Sequence, residues 1–178
     1  MKNKNQLFKG GHMQKITPFL WFDSQAEEAM NFYVSIFKNS KIGSTTRYDE
    51  AGSAAAGRPK ESVMTISFNL DGQEFTAMNA GPVFKFNPSV SFIVITKDEK
   101  EIDDLWNKFS EGGKVLMELQ KYDWSKKYGW VEDKYGLSWQ VVPEMYFKLE
   151  SDKNKAKRQY ALNAVLKMKK IIIADLVK

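Results

Sequence analysis

Few residues in this chain are of the types that perform covalent or metal chemistry. The sequence contains no cysteine and a single histidine, His12. The lack of cysteine excludes a thiolate nucleophile, a disulfide framework and a cysteine metal site. His12 lies in a short segment, 1–12, that we expect to stand outside the fold, so a Ser-His-Asp nucleophile is not predicted either.

Carboxylate pairs are the remaining candidates for proton transfer. Glu27-Glu28 and Asp103-Asp104 fall on the outer faces of predicted helices, where we interpret them as solvent-exposed charges. Glu74 and Glu132-Asp133 lie beside predicted turns and are slightly better candidates for general acid or base catalysis.

The first twelve residues have two interpretations. Lys9-Gly10-Gly11-His12-Met13 is what a purine-rich ribosome-binding site would encode if it were read in frame. This pattern predicts that translation of the native protein starts at Met13 and not at Met1. The alternative is a short disordered tail. Both interpretations exclude the segment from the fold.

Charge is distributed unevenly along the chain. The net charge is +5, but residues 1–12 carry three lysines and no acid, and residues 151–178 carry eight basic and two acidic residues. Residues 13–150 therefore have a net charge of −4. An acidic core lacks the basic groove that phosphates require, so nucleic acid is not a predicted partner.

Hydropathy also limits the class of protein. No apolar run in the sequence approaches the roughly 18 residues that cross a bilayer. The lysine- and asparagine-rich N-terminus has no apolar segment of the kind found in signal peptides. We therefore predict a cytoplasmic globular protein without a membrane partner, built as one domain or as two small fused modules.

A duplicated pattern predicts the fold. An apolar run at 19–22, followed by a helical stripe, recurs 73 residues later at 92–95. The end of each copy also recurs, because 71–78 matches 135–142 at an offset of 64. The smaller second offset predicts a longer loop in the first copy. We assign that flexible loop to the glycine- and alanine-rich stretch 51–59.

Each copy is predicted to run strand, helix, strand, strand, strand. Hydrophobic periodicity places strands at 16–22, 41–48, 63–70, 74–78, 90–96, 115–119, 129–132 and 138–142, and helices at 23–39 and 98–110. Asp71-Gly72 predicts a type I′ hairpin turn. In the segment 151–178, apolar residues share one helical face opposite Lys and Arg, which predicts a C-terminal amphipathic helix that docks on the domain or on a second subunit.

Several separated motifs resemble one known family. They are Ile16-Thr17-Pro18-Phe19-Leu20-Trp21-Phe22-Asp23, Asn79-Ala80-Gly81-Pro82 and the stretch 128–140. In this order they are similar to the opening, centre and close of the PhnB-like branch of the vicinal oxygen chelate superfamily. That superfamily includes glyoxalase, bleomycin-resistance proteins and extradiol dioxygenases. Sequences of the branch are often labelled 3-demethylubiquinone-9 3-methyltransferases.

The resemblance implies an architecture. It implies an α+β fold with a glyoxalase-like domain over 13–150, made of tandem βαβββ modules at about 13–82 and 88–145. In this superfamily the two modules curl into an incomplete barrel around a pocket, and the C-terminal helix follows. The resemblance also implies a homodimer.

The resemblance also implies where a metal would bind. In metal-dependent members, the ligands come from the first and last strands of each module. The corresponding positions here are Thr17, Thr76, Val90 (or Ser89 or Ser91 if the register slips by one residue) and Gln140. Transition metals need imidazole or carboxylate donors, and alcohol and amide oxygens alone hold them poorly. We therefore expect no metal and no other cofactor.

Alternating residues on the same strands predict an apolar pocket with a few polar contacts. If the sheet curls as the resemblance implies, its concave side is lined by Thr17, Phe19, Trp21, Thr76, Met78 and Gln140. Ser91 is included as a register alternative, and the residues expected to gate the pocket are Asn79, Phe84, Phe86 and Trp130. Such a lining suits a small, partly aromatic organic ligand. The alternative is a cavity that is filled by its own side chains.

Three functions remain open on the sequence. The first is a metal-free protein that binds or sequesters a small organic molecule, in the manner of bleomycin-resistance relatives. The second is a glyoxalase-like metalloenzyme, an isomerase or dioxygenase, whose ligands are not identified. The third is a methyltransferase, which is disfavoured because the first strand ends in Phe22-Asp23-Ser24-Gln25 without a glycine-rich turn for a cofactor.

Overall fold

The computed structural model describes residues 14–122, 125–144, 147–148, 153–156, 158–160 and 163. The chain divides into two compact units, which we call unit 1 (up to Lys85) and unit 2 (from Phe86). The predicted extension 1–12, the alternative start at Met13 and most of the predicted C-terminal helix lie outside the described residues. Among the described helices, none is long and apolar enough to cross a membrane.

Unit 1 is a four-stranded mixed sheet with a helix on one face. Its elements are β1 (Phe19–Phe22), α1 (Ala26–Ile36), β2 (Lys41–Arg47), α2 (Glu50–Ala56), β3 (Val63–Leu70) and β4 (Gln73–Asn79). The strand order is β1-β4-β3-β2. Strand β1 runs parallel to β4, and the other neighbours are antiparallel.

Unit 2 repeats this topology. Its elements are β5 (Phe92–Thr96), α3 (Glu99–Ser110), β6 (Lys114–Tyr122), β7 (Ser125–Glu132) and β8 (Ser138–Pro143). The strand order is β5-β8-β7-β6, again with the first strand parallel to the last. The predicted α+β class with tandem strand-helix-three-strand units is therefore confirmed.

Unit 1 contains one element that the sequence pattern did not predict. The stretch 51–59, assigned above to a flexible loop, is mostly the short helix α2. Asp49 caps its first turn by accepting a hydrogen bond from the Gly52 N–H at 2.7 Å, and Gly57 ends it in the left-handed region at a φ of 63°. A side-chain N-cap and a glycine C-cap stabilise the alanine-rich turn between them, so the loop prediction was wrong.

The turn between β3 and β4 agrees with prediction. Asp71 and Gly72 have φ values of 47° and 90°, and the flanking residues Leu70 and Gln73 pair with each other. Two successive positive φ values are the mark of a type I′ turn, which asparagine, aspartate and glycine adopt most readily. The predicted hairpin is confirmed.

The helices α1 and α3 each pack on one face of their own sheet. In unit 1, α1 lies mainly on β3 and buries Ala29, Met30 and Tyr33 against the side that carries Ile66 and Phe68. Leucine, isoleucine and aromatic side chains that alternate with polar ones supply this buried side. We call the side of the sheet opposite α1 the unit 1 face.

In unit 2, α3 lies mainly on β7 and β8. The Phe109 ring stacks on Trp139 with centroids 4.7 Å apart. Trp106 lies so close to Gly129 that no side chain fits at this glycine. The side of this sheet opposite α3 is called the unit 2 face.

The two copies differ by one residue in the spacing of their first strands. The structure pairs Phe19 with Thr76 and Ile93 with Gln140, so β1 and β5 are related by 74 positions, whereas the helices keep the offset of 73. The loop between strand and helix has three residues in unit 1 and two in unit 2, which accounts for the change. The offset of 73 for the first strands was therefore wrong.

Candidate functional site

The unit 1 face consists of two rows of side chains that cross the sheet. Alternate residues of a strand point to opposite sides, so the pairing register defines each row. One row is Phe19 on β1, Thr76 on β4, Ser67 on β3 and Ser44 on β2; the other is Trp21, Met78, Thr65 and Thr46 in the same strand order. Both rows begin with an aromatic residue and end with hydroxyl groups.

The aromatic end of the unit 1 face is partly exposed. Phe19 has 57% of its surface accessible to solvent, and Trp21 is half-buried. The Trp21 indole Nε1 donates to the Gly81 carbonyl at 2.9 Å. Its ring meets Phe84 nearly at right angles, with centroids 5.1 Å apart. This bond and this packing hold the indole in place beside an exposed Phe84, and together the three rings form an apolar surface.

The polar end of the unit 1 face is a ladder of hydroxyl groups, which we call the hydroxyl ladder: Ser44, Ser67, Thr46 and Thr65. The Ser44 and Ser67 Oγ atoms are 3.0 Å apart, and the Thr46 and Thr65 Oγ1 atoms are 2.6 Å apart. Each hydroxyl has one proton to donate and two lone pairs. The Thr46–Thr65 pair therefore keeps capacity for a further partner, whereas the Ser67 Oγ also accepts from the Ser44 N–H at 2.8 Å and donates to the Ser44 carbonyl at 3.3 Å.

Thr76 lies between the aromatic end and the hydroxyl ladder. It is half-buried, and its side chain hydrogen-bonds to no other residue in the part of the chain that the structure describes. Its hydroxyl is thus available to a molecule on the unit 1 face. The four residues of the hydroxyl ladder were missed at the sequence level, although Ser44/Thr46 and Thr65/Ser67 show a visible period-2 pattern within their strands.

Part of the unit 2 face is occupied by side chains of unit 2, while Ile93 and Ile95 on β5 are 48% and 52% exposed at its edge. Tyr128 and Val142 are buried, and Met117, Tyr122, Trp130 and Phe147 pack against them. The Trp130 indole Nε1 donates to the Ser138 Oγ at 2.7 Å. These contacts occupy the part of the face that β7 and β8 form.

Gln140 is held at both ends of its amide. Its Oε1 accepts a hydrogen bond from the Tyr128 hydroxyl at 2.9 Å, and its Nε2 donates to the Ser91 Oγ at 2.7 Å. The 74-residue relation makes Ser91 the counterpart of Thr17, so the structure selects Ser91 over Val90 and Ser89. The amide oxygen that could have served as a ligand is engaged within unit 2.

These residues do not fit a transition metal. Thr17, Thr76, Ser91 and Gln140 supply only alcohol and amide donors, and such ions require nitrogen, sulfur or carboxylate ligands. Within the described ranges there is no group of three or more His, Cys, Asp or Glu side chains that could hold an ion.

Two further candidates have contacts that differ from those expected of pocket residues. Asn79 is buried on the helix side of its sheet. Its Oδ1 accepts from the Ala26 N–H at 2.8 Å at the start of α1, and its Nδ2 donates to the Val63 carbonyl at 3.1 Å. Asn79 thus caps a helix from a neighbouring strand. Phe86, in unit 2, lies beside Gly136 in the turn before β8.

Asp133, which the sequence offered as a candidate for proton transfer, has contacts that stabilise the β7–β8 turn. Asp133 is buried. Its Oδ1 accepts from the backbone N–H groups of Tyr135 and Leu137 at 2.8 and 3.0 Å, and its Oδ2 accepts from the Trp139 indole at 2.8 Å. A carboxylate with three donors directed at it organises the turn.

The fold and the sequence together define the class and then the family. Two units with this strand order and a parallel first strand form the glyoxalase-like fold of the vicinal oxygen chelate superfamily. Residues 14–142 match the family model described as 3-demethylubiquinone-9 3-methyltransferase. The PhnB protein from Bacillus cereus is 45% identical, with a TM-score of 0.67, over 73% of this chain and 99% of its own. The chain belongs to this PhnB-like family.

Two other solved structures share the fold. Protein PA1353 from Pseudomonas aeruginosa is 22% identical over 74% of this chain and 98% of its own, with a TM-score of 0.60. The fosfomycin resistance protein FosX from Listeria monocytogenes, in complex with Mn(II) and sulfate, is 11% identical over 83% and 96%, with a TM-score of 0.51. At these identities the likeness concerns the fold alone. No curated protein sequence matches the chain.

Proposed function

We propose that this protein binds a small organic molecule on the unit 1 face without the help of a metal ion. The observation that carries the proposal is the combination of exposed aromatic rings, Phe19 and Phe84, with the unengaged hydroxyl of Thr76. Exposed apolar patches rimmed by polar groups mark interaction or ligand-binding surfaces. On the unit 2 face the exposed residues of the first strand, Ile93 and Ile95, are aliphatic, and Tyr128 and Trp130 occupy the positions of Thr65 and Ser67.

The metal-dependent alternative has weaker support. FosX binds Mn(II), but its 11% identity transfers the fold only, and the corresponding donors here are alcohols and amides. The methyltransferase activity in the family description also lacks local support. The residues that join β1 to α1, Asp23-Ser24-Gln25, contain no glycine-rich turn of the kind that receives a nucleotide-like cofactor.

The experiment is a screen of small aromatic compounds by ligand-observed NMR, followed by two matched variants. Phe19→Ala removes an exposed ring from the unit 1 face, and Ile93→Ala changes its register counterpart in unit 2, which is 48% exposed. We expect Phe19→Ala to weaken the binding of hits at least about tenfold and Ile93→Ala to leave it unchanged. Equal losses in both variants would contradict the assignment to unit 1.

Metal analysis of the purified protein tests the remaining part of the proposal. We expect less than stoichiometric transition metal by mass spectrometry, and ligand binding that survives dialysis against a chelator. A bound ion at one per chain whose removal abolishes binding would favour the metalloenzyme instead. Calorimetry with S-adenosylmethionine tests the methyltransferase, and we expect no heat of binding.

The homodimer implied by the family resemblance is kept as part of this proposal. Sedimentation equilibrium of the full chain measures it directly. A mass of about twice the 20.5 kDa of one chain is the expected result, and a monomer at all concentrations would remove the dimer from the proposal.

A further inference from the structure

The side chains on the unit 1 face specify the class of ligand, and this inference rests on the proposed function. We infer that the ligand is an elongated, uncharged molecule with a planar aromatic end and a hydrogen-bonding end. The aromatic end lies on Trp21 and Phe19, and the polar end reaches the hydroxyl ladder.

The change from aromatic residues at one edge of the sheet to hydroxyl residues at the other indicates the length of the ligand. Trp21 and Phe19 stand on β1, at one edge of the sheet, and Ser44 and Thr46 stand on β2, at the other. Adjacent strands are roughly 4.8 Å apart, so the two edges of a four-stranded sheet are separated by about 14 Å. A ligand that uses both ends must therefore be longer than a single aromatic ring.

The absence of charged side chains in the two rows indicates that the ligand is uncharged. All eight side chains of the rows are neutral. The charged groups next along the face are Glu74 and Lys41, which share the adjacent row with Asn69, and Glu74 accepts a hydrogen bond from Asn69 at 3.1 Å. An ion that loses water on this surface would find no counter-charge in the rows, and such burial is unfavourable. Neutral ligands avoid this cost.

The hydroxyl ladder gives the hydrogen-bonding character. The Thr46–Thr65 pair at 2.6 Å can place its free proton on either oxygen, so it can donate to a carbonyl or accept from an amide or hydroxyl. The Ser67 Oγ also accepts from the Ser44 N–H at 2.8 Å, which fixes its position. The ladder is therefore suited to neutral amide, carbonyl or hydroxyl substituents of the ligand.

Three probes of nearly equal shape test the inference: naphthalene-2-carboxamide, naphthalene-2-carboxylate and 2-naphthylmethylammonium. Both ions are included because residues 13–150 have a net charge of −4, which attracts cations at long range. Affinities are measured by NMR titration of the full chain, with the Trp21 indole N–H signal as the site reporter. We expect the carboxamide to bind at least about tenfold more tightly than either ion.

A pair of isosteric variants locates the polar end. Thr65→Val removes a ladder hydroxyl, and Thr45→Val removes an exposed hydroxyl that pairs with Ile66, on the opposite side of the same sheet. We expect Thr65→Val to weaken carboxamide binding about fivefold and Thr45→Val to leave it unchanged. Equal effects of the two variants would overturn the assignment of the polar end.

The outcomes separate the two proposals. If the probes bind at Trp21 but the ions bind as tightly as the carboxamide, the ligand class is overturned and the proposed function stands. If no probe shifts the Trp21 signal of the wild-type protein, the proposed function fails, and the ligand class fails with it.

Discussion

The unit 1 face and the unit 2 face have the same backbone topology and different side chains. Strand register makes Thr65 and Ser67 the counterparts of Tyr128 and Trp130. In unit 2 the two aromatic residues join a packed cluster, whereas in unit 1 small hydroxyl residues take their place. The first strand is exposed in both units, as Phe19 and Ile93 show. Side-chain volume at two positions of one strand thus separates a packed centre of the face from an open one.

The difference follows from buried area. An aromatic side chain buries about 150–250 Å² and dominates the packing around it, whereas serine and threonine cover little. Under the proposed function, the copy with the small side chains binds the ligand. The comparison also predicts which substitutions the two faces tolerate.

Tyr128→Ala has the largest expected effect. Loss of a buried ring creates a cavity, and we expect the free energy of unfolding to fall by about 3–5 kcal/mol. The register counterpart Thr65→Ala should cost less than about 1 kcal/mol, since it removes few contacts. Urea denaturation measures the free energy of unfolding of both variants, and the comparison requires that their m-values are equal. Similar costs would show that the two faces are equally packed, and the comparison would fail.

Asn79→Ala is expected to have the second-largest effect on the free energy of unfolding. It leaves the Ala26 N–H and the Val63 carbonyl without their buried partner, which should cost about 1–3 kcal/mol. Thr76→Val, three positions earlier on the other side of β4, should change the free energy of unfolding by no more than about 0.5 kcal/mol. A reversed order in thermal or chemical denaturation would mean that Thr76, and not Asn79, is the structural residue.

A smaller loss of stability is expected when the hydrogen bond between Tyr128 and Gln140 is removed. Tyr128→Phe deletes the hydrogen bond to the Gln140 Oε1 without opening a cavity, and should cost about 1 kcal/mol. A double-mutant cycle with Gln140→Leu should give a coupling of about 0.5–1 kcal/mol. Strict additivity of the two substitutions would show that the bond does not form in solution.

The smallest expected effect on stability concerns the ion pair between Glu144 and Lys148. Lys148 donates a hydrogen bond to the Glu144 carboxylate at 2.6 Å, and this bond holds the pKa of Glu144 below its ordinary value. A lowered folded-state pKa stabilises the fold above the unfolded-state pKa, and this stabilisation is lost as the pH falls through the folded value. The pair is exposed to solvent, so the effect on unfolding should be slight.

NMR titration of Glu144 in the wild-type protein and in Lys148→Met measures this directly. We expect the substitution to raise the pKa of Glu144 towards its ordinary value. An unchanged pKa would mean that the ion pair at the end of β8 does not persist in solution.

Much of the fold follows from local patterns. The alternation in β3, the apolar stripe of α3 and the Asp71-Gly72 turn each predict their elements, because period and turn chemistry are local properties. The helix α2 was missed because its composition resembles a loop, while its stability comes from the Asp49 cap and the Gly57 terminus. The offset of the first strands was misjudged because sequence similarity does not measure the length of the connection that follows.

The site was only partly predictable for the same reason. Phe19, Trp21 and Thr76 were identified from strand alternation, and the structure places them on one face. The hydroxyl ladder requires β2 and β3 to be paired in a known register, and Asn79 requires the start of α1 to lie against the end of β4. Neither relation is present in any single segment of sequence.

Composition alone establishes that the chain offers no thiolate and a single imidazole, His12, ahead of the described residues. The family resemblance adds that mostly alcohols and amides stand at the implied ligand positions. Periodicity establishes the repeated order of strands and helices. Which residues share a face, and whether that face is filled, depends on the pairing of distant strands. A shift of one residue moves every side chain to the other side of a sheet, and packing depends on volumes contributed by several strands at once.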